Sequence, residues 1–482
     1  MKRFKHQQKE WDDHRYAEAR AYLWQPRTGK SRMTVESAVA LHEALEIGGV
    51  LVLAPNGVHT QWVVEQVPRW GYGMTHAWRF SDPRNREKWE AFLRHLTAWH
   101  TGMISCGERQ LYWLSVNTES LIRDEVREAI KQFKRLVGGA MLVLDESDEY
   151  GRPGSKRTGV ARGLARQFEY RRILTGTVID ESPLNAFSQF EIMRKEALGH
   201  RTFGSFKAEF ATYEQVGFGA RRFPKLVGYR NLDLLRDRMA PWSSVVLRSD
   251  CDDLPEIMQV HRQIEMAPNQ IKWWNAVKKK LILELEDLGE NRVFAGGAAL
   301  VKLQQIEGGF FKREDGTLES LVPLEHNPKM LALTEEVTQH DSQVIAWFAY
   351  VHEIRAAREY LAGKGIDCVE YHGQMNMAER ERGLEEFKRG KHVALLGQPA
   401  AGGKGRDMSA ASKIVYFSHV PRAVIRGQSM ERATKMGGQS VQLVDLLTPV
   451  GEYFLSLTDK KIALADDVSR TGLRGVLERM SI

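Results

Sequence analysis

Residues 49–54 read Gly-Val-Leu-Val-Leu-Ala, an apolar run without a polar break. A strand with one wet face alternates apolar and polar residues. An unbroken run is covered on both faces, as in parallel sheets flanked by helices. The run at 141–144 repeats the pattern, as does the short one at 21–24, and 172–175 carries it with Arg172 and Thr175 at its ends. Toward the C-terminus it returns at 344–348, 393–396 and 414–417, and in a mostly apolar form, broken by Gln442 and Asp445, at 441–446, with helical patterns between the runs. The class is therefore α/β, with polar residues delivered at the carboxyl ends of strands, where open α/β sheets collect ligands.

A chain of 482 residues exceeds one ordinary domain. The expected division is a first lobe over 1–245, with a helical insertion near 187–245. A linker and helical segment follows over 246–325, and a second lobe over 326–482. The composition, 43% hydrophobic and 27% charged, fits a globular protein. No apolar run is long enough to span a membrane. The basic N-terminus lacks the apolar stretch of a signal peptide, so a cytoplasmic setting is expected. Cys106, Cys251 and Cys368 lie far apart, which argues against a zinc site or a disulfide framework. The net charge of +7 favours a polyanionic partner.

Pro26-Arg27-Thr28-Gly29-Lys30-Ser31 follows the first strand and opens a helix. Backbone N–H groups of such a loop bind phosphate oxygens. Lys30 would reach the outer phosphates of ATP, and the Ser31 hydroxyl would ligate Mg²⁺. Thr28 and Gly29 belong to the same cradle. Asp145-Glu146-Ser147-Asp148 follows the run at 141–144. Asp145 would hold the metal, and Glu146 would orient and deprotonate the attacking water. Gln428, Arg432 and Lys435 are spaced four and three apart, so one helix would present them on one face. A guanidinium aimed at the γ-phosphate stabilises transition-state charge.

Taken in order, these motifs resemble the superfamily-2 helicases, and among them the Swi/Snf-like branch of double-stranded DNA translocases. His6-Gln7 resembles the upstream element in which the glutamine reads adenine. Residues 26–31 resemble motif I. Ala54-Pro55 with Gln61-Trp62 and Glu65 resembles motif Ia. Asn117-Thr118-Glu119 matches a short Asn-x-Glu element, Asp145-Glu146-Ser147-Asp148 motif II, and Leu174-Thr175-Gly176-Thr177 motif III. Leu247-Arg248 and Leu254-Pro255 resemble the connector between lobes. Residues 344–350, Gly402-Gly403-Lys404-Gly405 and residues 428–435 resemble motifs IV, V and VI, and Tyr371-His372-Gly373 a short turn of the second lobe. The chain departs from the family at Lys435, where arginine is usual, and at Arg27, where related loops often carry glycine. It also has Val178 where proline often follows the motif III threonine. Its compact size and Ser182-Pro183-Leu184 are most similar to bacteriophage-encoded members, whose cytoplasm would be that of a bacterial host.

The resemblance implies two RecA-like lobes with parallel sheets, closing on ATP and Mg²⁺, with Gly403, Gly405 and Asp407 also at the nucleotide. It implies DNA lying across both lobes, touched by Asn56, His59, Asn117, Tyr350, His372 and Lys404. The aromatic-rich basic stretch 200–230 adds Arg221, Arg222 and Lys225 as phosphate contacts. Its aromatics are read mainly as the core of the insertion. Residues 303–310 are read as a brace between the lobes, and tryptophans such as Trp62, Trp70, Trp273 and Trp274 as packing residues. The expected activity is ATP-driven translocation of a monomer on duplex DNA. A strand-separating or branch-migrating helicase acting on DNA or RNA, single strands included, is the alternative, and a DNA clamp with weak hydrolysis another. No protein partner is indicated.

Overall fold

The computed structural model describes residues 3–56, 58–78, 84–103, 110–176, 182–216, 223–247, 251, 257–288, 293–313, 315–340, 342–401, 408–433 and 440–459. The chain divides into two compact units, Met1–Asp252 and Asp253–Ile482.

The first unit holds strands β1 (Ala19–Trp24), β2 (Gly49–Ala54), β3 (Met74–Trp78), β4 (Tyr112–Asn117), β5 (Ala140–Asp145) and β6 (Tyr170–Thr175). A hairpin of β7 (Ala211–Val216) and β8 (Phe223–Tyr229) follows, then β9 (Ser243–Val246). All strands but the hairpin form one parallel seven-stranded sheet in the order β3-β4-β2-β5-β6-β1-β9. The unbroken runs are explained by two cores. Leu51, Leu53, Leu142 and Leu144 face one buried cluster, while Val50, Val52, Met141 and Val143 face the other. Both faces of β2, and of β5 up to Leu144, are dry, so neither face there carries polar residues.

The second unit holds β10 (Ile257–Gln263), a short antiparallel pair β11 (Phe310–Lys312) and β12 (Leu318–Ser320), and then β13 (Gln343–Trp347). It continues with β14 (Cys368–Tyr371), β15 (Ala394–Gly397), β16 (Ala411–Tyr416) and β17 (Val441–Leu447). Six of these form a parallel sheet in the order β10-β17-β16-β13-β15-β14. Val344 and Ala346 face one core, and Ile345 and Trp347 the other. A further cluster joins the helices Pro268–Leu288, Val293–Glu307 and Pro449–Asp459 through Trp274, Leu300, Leu303, Ile306 and Phe454.

Two stretches differ from the local expectation. Residues 211–216 and 223–229, read as part of a helical insertion, pair as the antiparallel strands β7 and β8, preceded by the helix Phe203–Phe210 and followed by Leu232–Met239. Phe206 and Phe210 are fully buried with ring centroids 4.7 Å apart, so they are core residues of the unit. Residues 257–263, within the stretch read as linker and helix, pair with β17 as an edge strand. Met258 and Val260 there are exposed, which is why no apolar run marks the strand.

Candidate functional site

β1 and β5 both border β6, in parallel, and register sets Leu23 beside Thr175 and Asp145 beside Leu174. The phosphate loop after β1 and the acidic pair ending β5 therefore open on the same carboxyl edge. Gly176, just past β6, lies against the loop: a Cβ there would sit 2.8 Å from Pro26 Cδ. The helix Lys30–Glu43 starts at the loop, with Gly29 as its N-cap at φ 96°. Arg27 has φ 68°, a left-handed conformation that glycine adopts without strain. This is the physical reason related loops carry glycine at the position.

Lys30 Nζ donates to Trp24 O at 2.7 Å, folding the ammonium back over the loop. Thr28 is buried, and its hydroxyl donates to Gln25 O at 2.6 Å. Gln7, on the helix Lys5–His14, is fully enclosed; its Nε2 donates to Thr28 O at 3.0 Å, and its Oε1 accepts from Phe4 N at 3.2 Å. That helix is anchored to β1 by Arg20, which gives Glu10 two hydrogen bonds, 2.8 and 3.0 Å long, inside the unit.

Asp145 is 8% exposed. Its Oδ1 accepts the Glu146 backbone N–H at 3.0 Å, and its Oδ2 accepts the Trp62 indole N–H at 2.8 Å. Glu146 has φ 52°, a left-handed backbone held at the strand end. Ser147 donates to Gln189 Oε1 at 2.7 Å and fastens the following turn. The donor set, one hydroxyl (Ser31) and one carboxylate, is hard oxygen chemistry, and it fits a magnesium ion that keeps waters and substrate phosphates as its other ligands. The glycine cradle and the helix start fit a phosphate chain.

Asn56 is exposed, whereas His59 is buried beside Thr60, with Oγ1 and Nε2 3.5 Å apart. Asn117 ends β4 and reaches Glu119 Oε2 at 3.4 Å. In the second unit Tyr350 precedes the helix Val351–Gly363 and donates to Gln304 Oε1 at 2.9 Å; burial raises its hydroxyl pKa. His372 is buried, with Nε2 3.0 Å from Glu370 Oε2. Gln428 lies half-buried on the helix Ala423–Glu431. The described helix ends at Glu431. Arg432 follows it, and its carbonyl accepts from Met408 N at 3.0 Å. The Arg432 guanidinium is buried over the Trp347 ring, 5.4 Å from its centroid. Thr177, Val178, Arg221, Arg222, Arg248, Leu254, Pro255, Gly402, Gly403, Lys404, Gly405, Asp407 and Lys435 lie outside the described residues, as does the Lys225 side chain.

Several residues at these sites escaped the sequence. Trp62 carries a motif Ia signal but no sign that it meets Asp145. Arg426 gives Asp445 two 2.8 Å hydrogen bonds and stacks 4.2 Å over Tyr416; His419 Nε2–H adds a 2.9 Å bond to the same carboxylate. Burial alone would raise the Asp445 pKa; the bonds from His419 and Arg426 hold it well below the usual range. Residues 303–310 form a buried polar hub of their own unit. Gln304 donates to His419 O at 2.7 Å. Glu307 accepts from Thr448 Oγ1 at 2.6 Å and Val450 N at 2.8 Å. A Cβ on Gly308 would lie 2.5 Å from Glu353 Oε1. Among the described residues no helix is long and apolar enough to cross a membrane.

The family described as helicase conserved C-terminal domain matches residues 328–437. An uncharacterized ATP-dependent helicase of Mycoplasma pneumoniae is 22% identical over 324 residues, 66% of this chain and 28% of that protein. A putative ATP-dependent helicase/translocase of Bacillus subtilis, YwqA, is 22% identical over 304 residues, 61% of this chain and 32% of that protein. The chain thus spans about a third or less of the length of these relatives. Among solved structures, the Sulfolobus solfataricus SWI2/SNF2 ATPase core in complex with dsDNA aligns at 17% identity and a TM-score of 0.40, over 99% of this chain and 95% of that one. The helicase C-terminal domain is thus matched within the second unit, and ATP-dependent helicases are among the proteins to which this chain is similar.

Proposed function

We propose that this chain is an ATP-hydrolysing motor that moves along double-stranded DNA with little sequence preference. The observation that carries it is one carboxyl edge of one parallel sheet bearing both a Gly-Lys-Ser phosphate loop and an Asp-Glu pair. The net charge of +7 and a relative described as a putative helicase/translocase favour movement on a polyanion.

Lys30 binds the outer phosphates and Gln7 the adenine edge. Ser31 and Asp145 would hold Mg²⁺, which offsets phosphate charge when bound. Glu146 orients the attacking water and accepts its proton. Gln428 and Arg432, with Lys435, Gly403, Gly405 and Asp407, are the second unit's contribution upon nucleotide-gated closure. Asn56, His59, Asn117, Tyr350, His372, Lys404, Arg221, Arg222 and Lys225 follow the DNA backbone. The buried His59 and His372 rings would reach it only after local rearrangement. Backbone contacts carry little sequence information and make affinity fall steeply with salt.

ATP hydrolysis measured alone and with duplex DNA, single-stranded DNA or RNA tests this, with Lys30→Ala as control. Strong stimulation by duplex, absent in the variant, is expected. Stimulation only by single strands or RNA would favour a strand-separating helicase, and unstimulated background hydrolysis a clamp.

A further inference from the structure

Trp62 opens the π-helical turn Trp62–Gln66, directly after the short helix Val58–Gln61. In this turn the Val67 N–H reaches back to the Trp62 carbonyl, five residues away. Such turns are rare and frequently mark functional sites. The side chain is 1% exposed and belongs to the same apolar core as Ala54, Val58, Val143 and Leu174. Trp113 and Trp242 give their indole N–H groups to backbone carbonyls, of Tyr72 and Ala197. Trp62 instead donates to Asp145 Oδ2 at 2.8 Å, across 83 residues of sequence. With Glu146 N on Oδ1, each carboxylate oxygen then has a fixed donor. An indole turns on only two torsions, so one wedged in a core is a preorganised donor.

We propose that Trp62 is a positioning residue that holds the Asp145 carboxylate in the orientation that receives the metal. It thereby ties the helix carrying His59 to the nucleotide site. This rests on the assignment of Asp145 as the metal carboxylate under the proposed function. Groups that orient a metal ligand through hydrogen bonds typically change metal affinity about 10–100-fold when replaced.

The test is binding of a fluorescent non-hydrolysable ATP analogue to the full chain, titrated with Mg²⁺, for the parent, Trp62→Phe and Asp145→Asn. Phenylalanine keeps an aromatic ring and deletes the donor. The expected result is a rise of about tenfold or more in the Mg²⁺ concentration for half-maximal binding, with metal-free affinity unchanged. A Trp62→Phe response within about twofold of the parent, while Asp145→Asn loses metal dependence, overturns the role of Trp62 and leaves the site standing. Parental metal dependence in Asp145→Asn removes the site, and the proposal with it. Should Trp62→Phe not fold, hydrogen exchange on the parent decides. Addition of the analogue with Mg²⁺ must slow exchange over residues 62–67 together with 144–147, and protection of 144–147 alone overturns the proposal.

Discussion

Gln7 closes over Gly29: a Cβ on that glycine would stand 2.1 Å from Gln7 Nε2. The same nitrogen donates to Thr28 O, and the His6 ring N–H reaches that carbonyl at 2.8 Å. The N-terminal helix and the phosphate loop are packed as one piece. Gly29→Ala would place a side chain at φ 96° and displace an enclosed amide. A loss of about 1–3 kcal/mol in stability is expected, since non-glycine residues held in such backbone regions cost that much. Nucleotide affinity should fall about tenfold, or about 1.4 kcal/mol. Denaturant midpoints and nucleotide titration check both, and parental values for the pair would refute the packing argument.

The Arg20–Glu10 pair is bidentate and almost fully buried. Removing one partner strands a buried charge, so Glu10→Ala should cost about 3–5 kcal/mol. The double change Glu10→Leu with Arg20→Met should recover much of that, because no unpaired ion remains. Urea unfolding distinguishes the two. The single variant should also weaken ATP binding, since the Gln7 helix loses its anchor on β1.

Glu353 gives the second unit a pH-dependent stability. Burial pushes its carboxyl up to about 7, despite Ser418 donating at 2.6 Å and the favourable charge of buried Lys329. Glu307, also buried, lies in the same network with its own carboxyl raised. The folded state holds the Glu353 proton more tightly than the unfolded chain. Its contribution is therefore greatest below the ordinary value of 4.5, falls as pH rises toward about 7, and levels off above that. The slope is up to about 1.4 kcal/mol per pH unit. Urea titrations across that window should show the slope in the parent and its loss in Glu353→Gln; an equal slope in both would exclude Glu353 as the source.

Asp445 has the opposite sign. Its pKa lies below the ordinary carboxylate range, so the network with Arg426 and His419 contributes stability above that range. The contribution is lost as pH falls through the folded value. Asp445→Asn leaves the Arg426 guanidinium buried without its counter-ion and should cost about 3–5 kcal/mol. Arg426→Lys should also destabilise, because an ammonium cannot reproduce two parallel bonds while stacked on Tyr416. Unfolding midpoints at neutral pH measure both, and a parental value for either would contradict the pairing.

The α/β class, the parallel strands and the order of the motifs were legible in the chain of residues alone. Strands dry on both faces are written as unbroken apolar runs, as Val50 to Leu53 are, and their ends are where polar motifs begin. Position 27 was legible as a departure, and its cause became physical once Arg27 was found at φ 68°. It took the folded chain to bring Trp62 to Asp145, Arg426 to Asp445, and Glu307, Lys329 and Glu353 into one buried network. Local pattern reports whether a residue is covered. It does not report by what, because the crossovers of a parallel sheet choose which strand ends become neighbours. Edge strand β10, exposed along most of its length, could not announce itself either, since only its pairing with β17 makes it a strand.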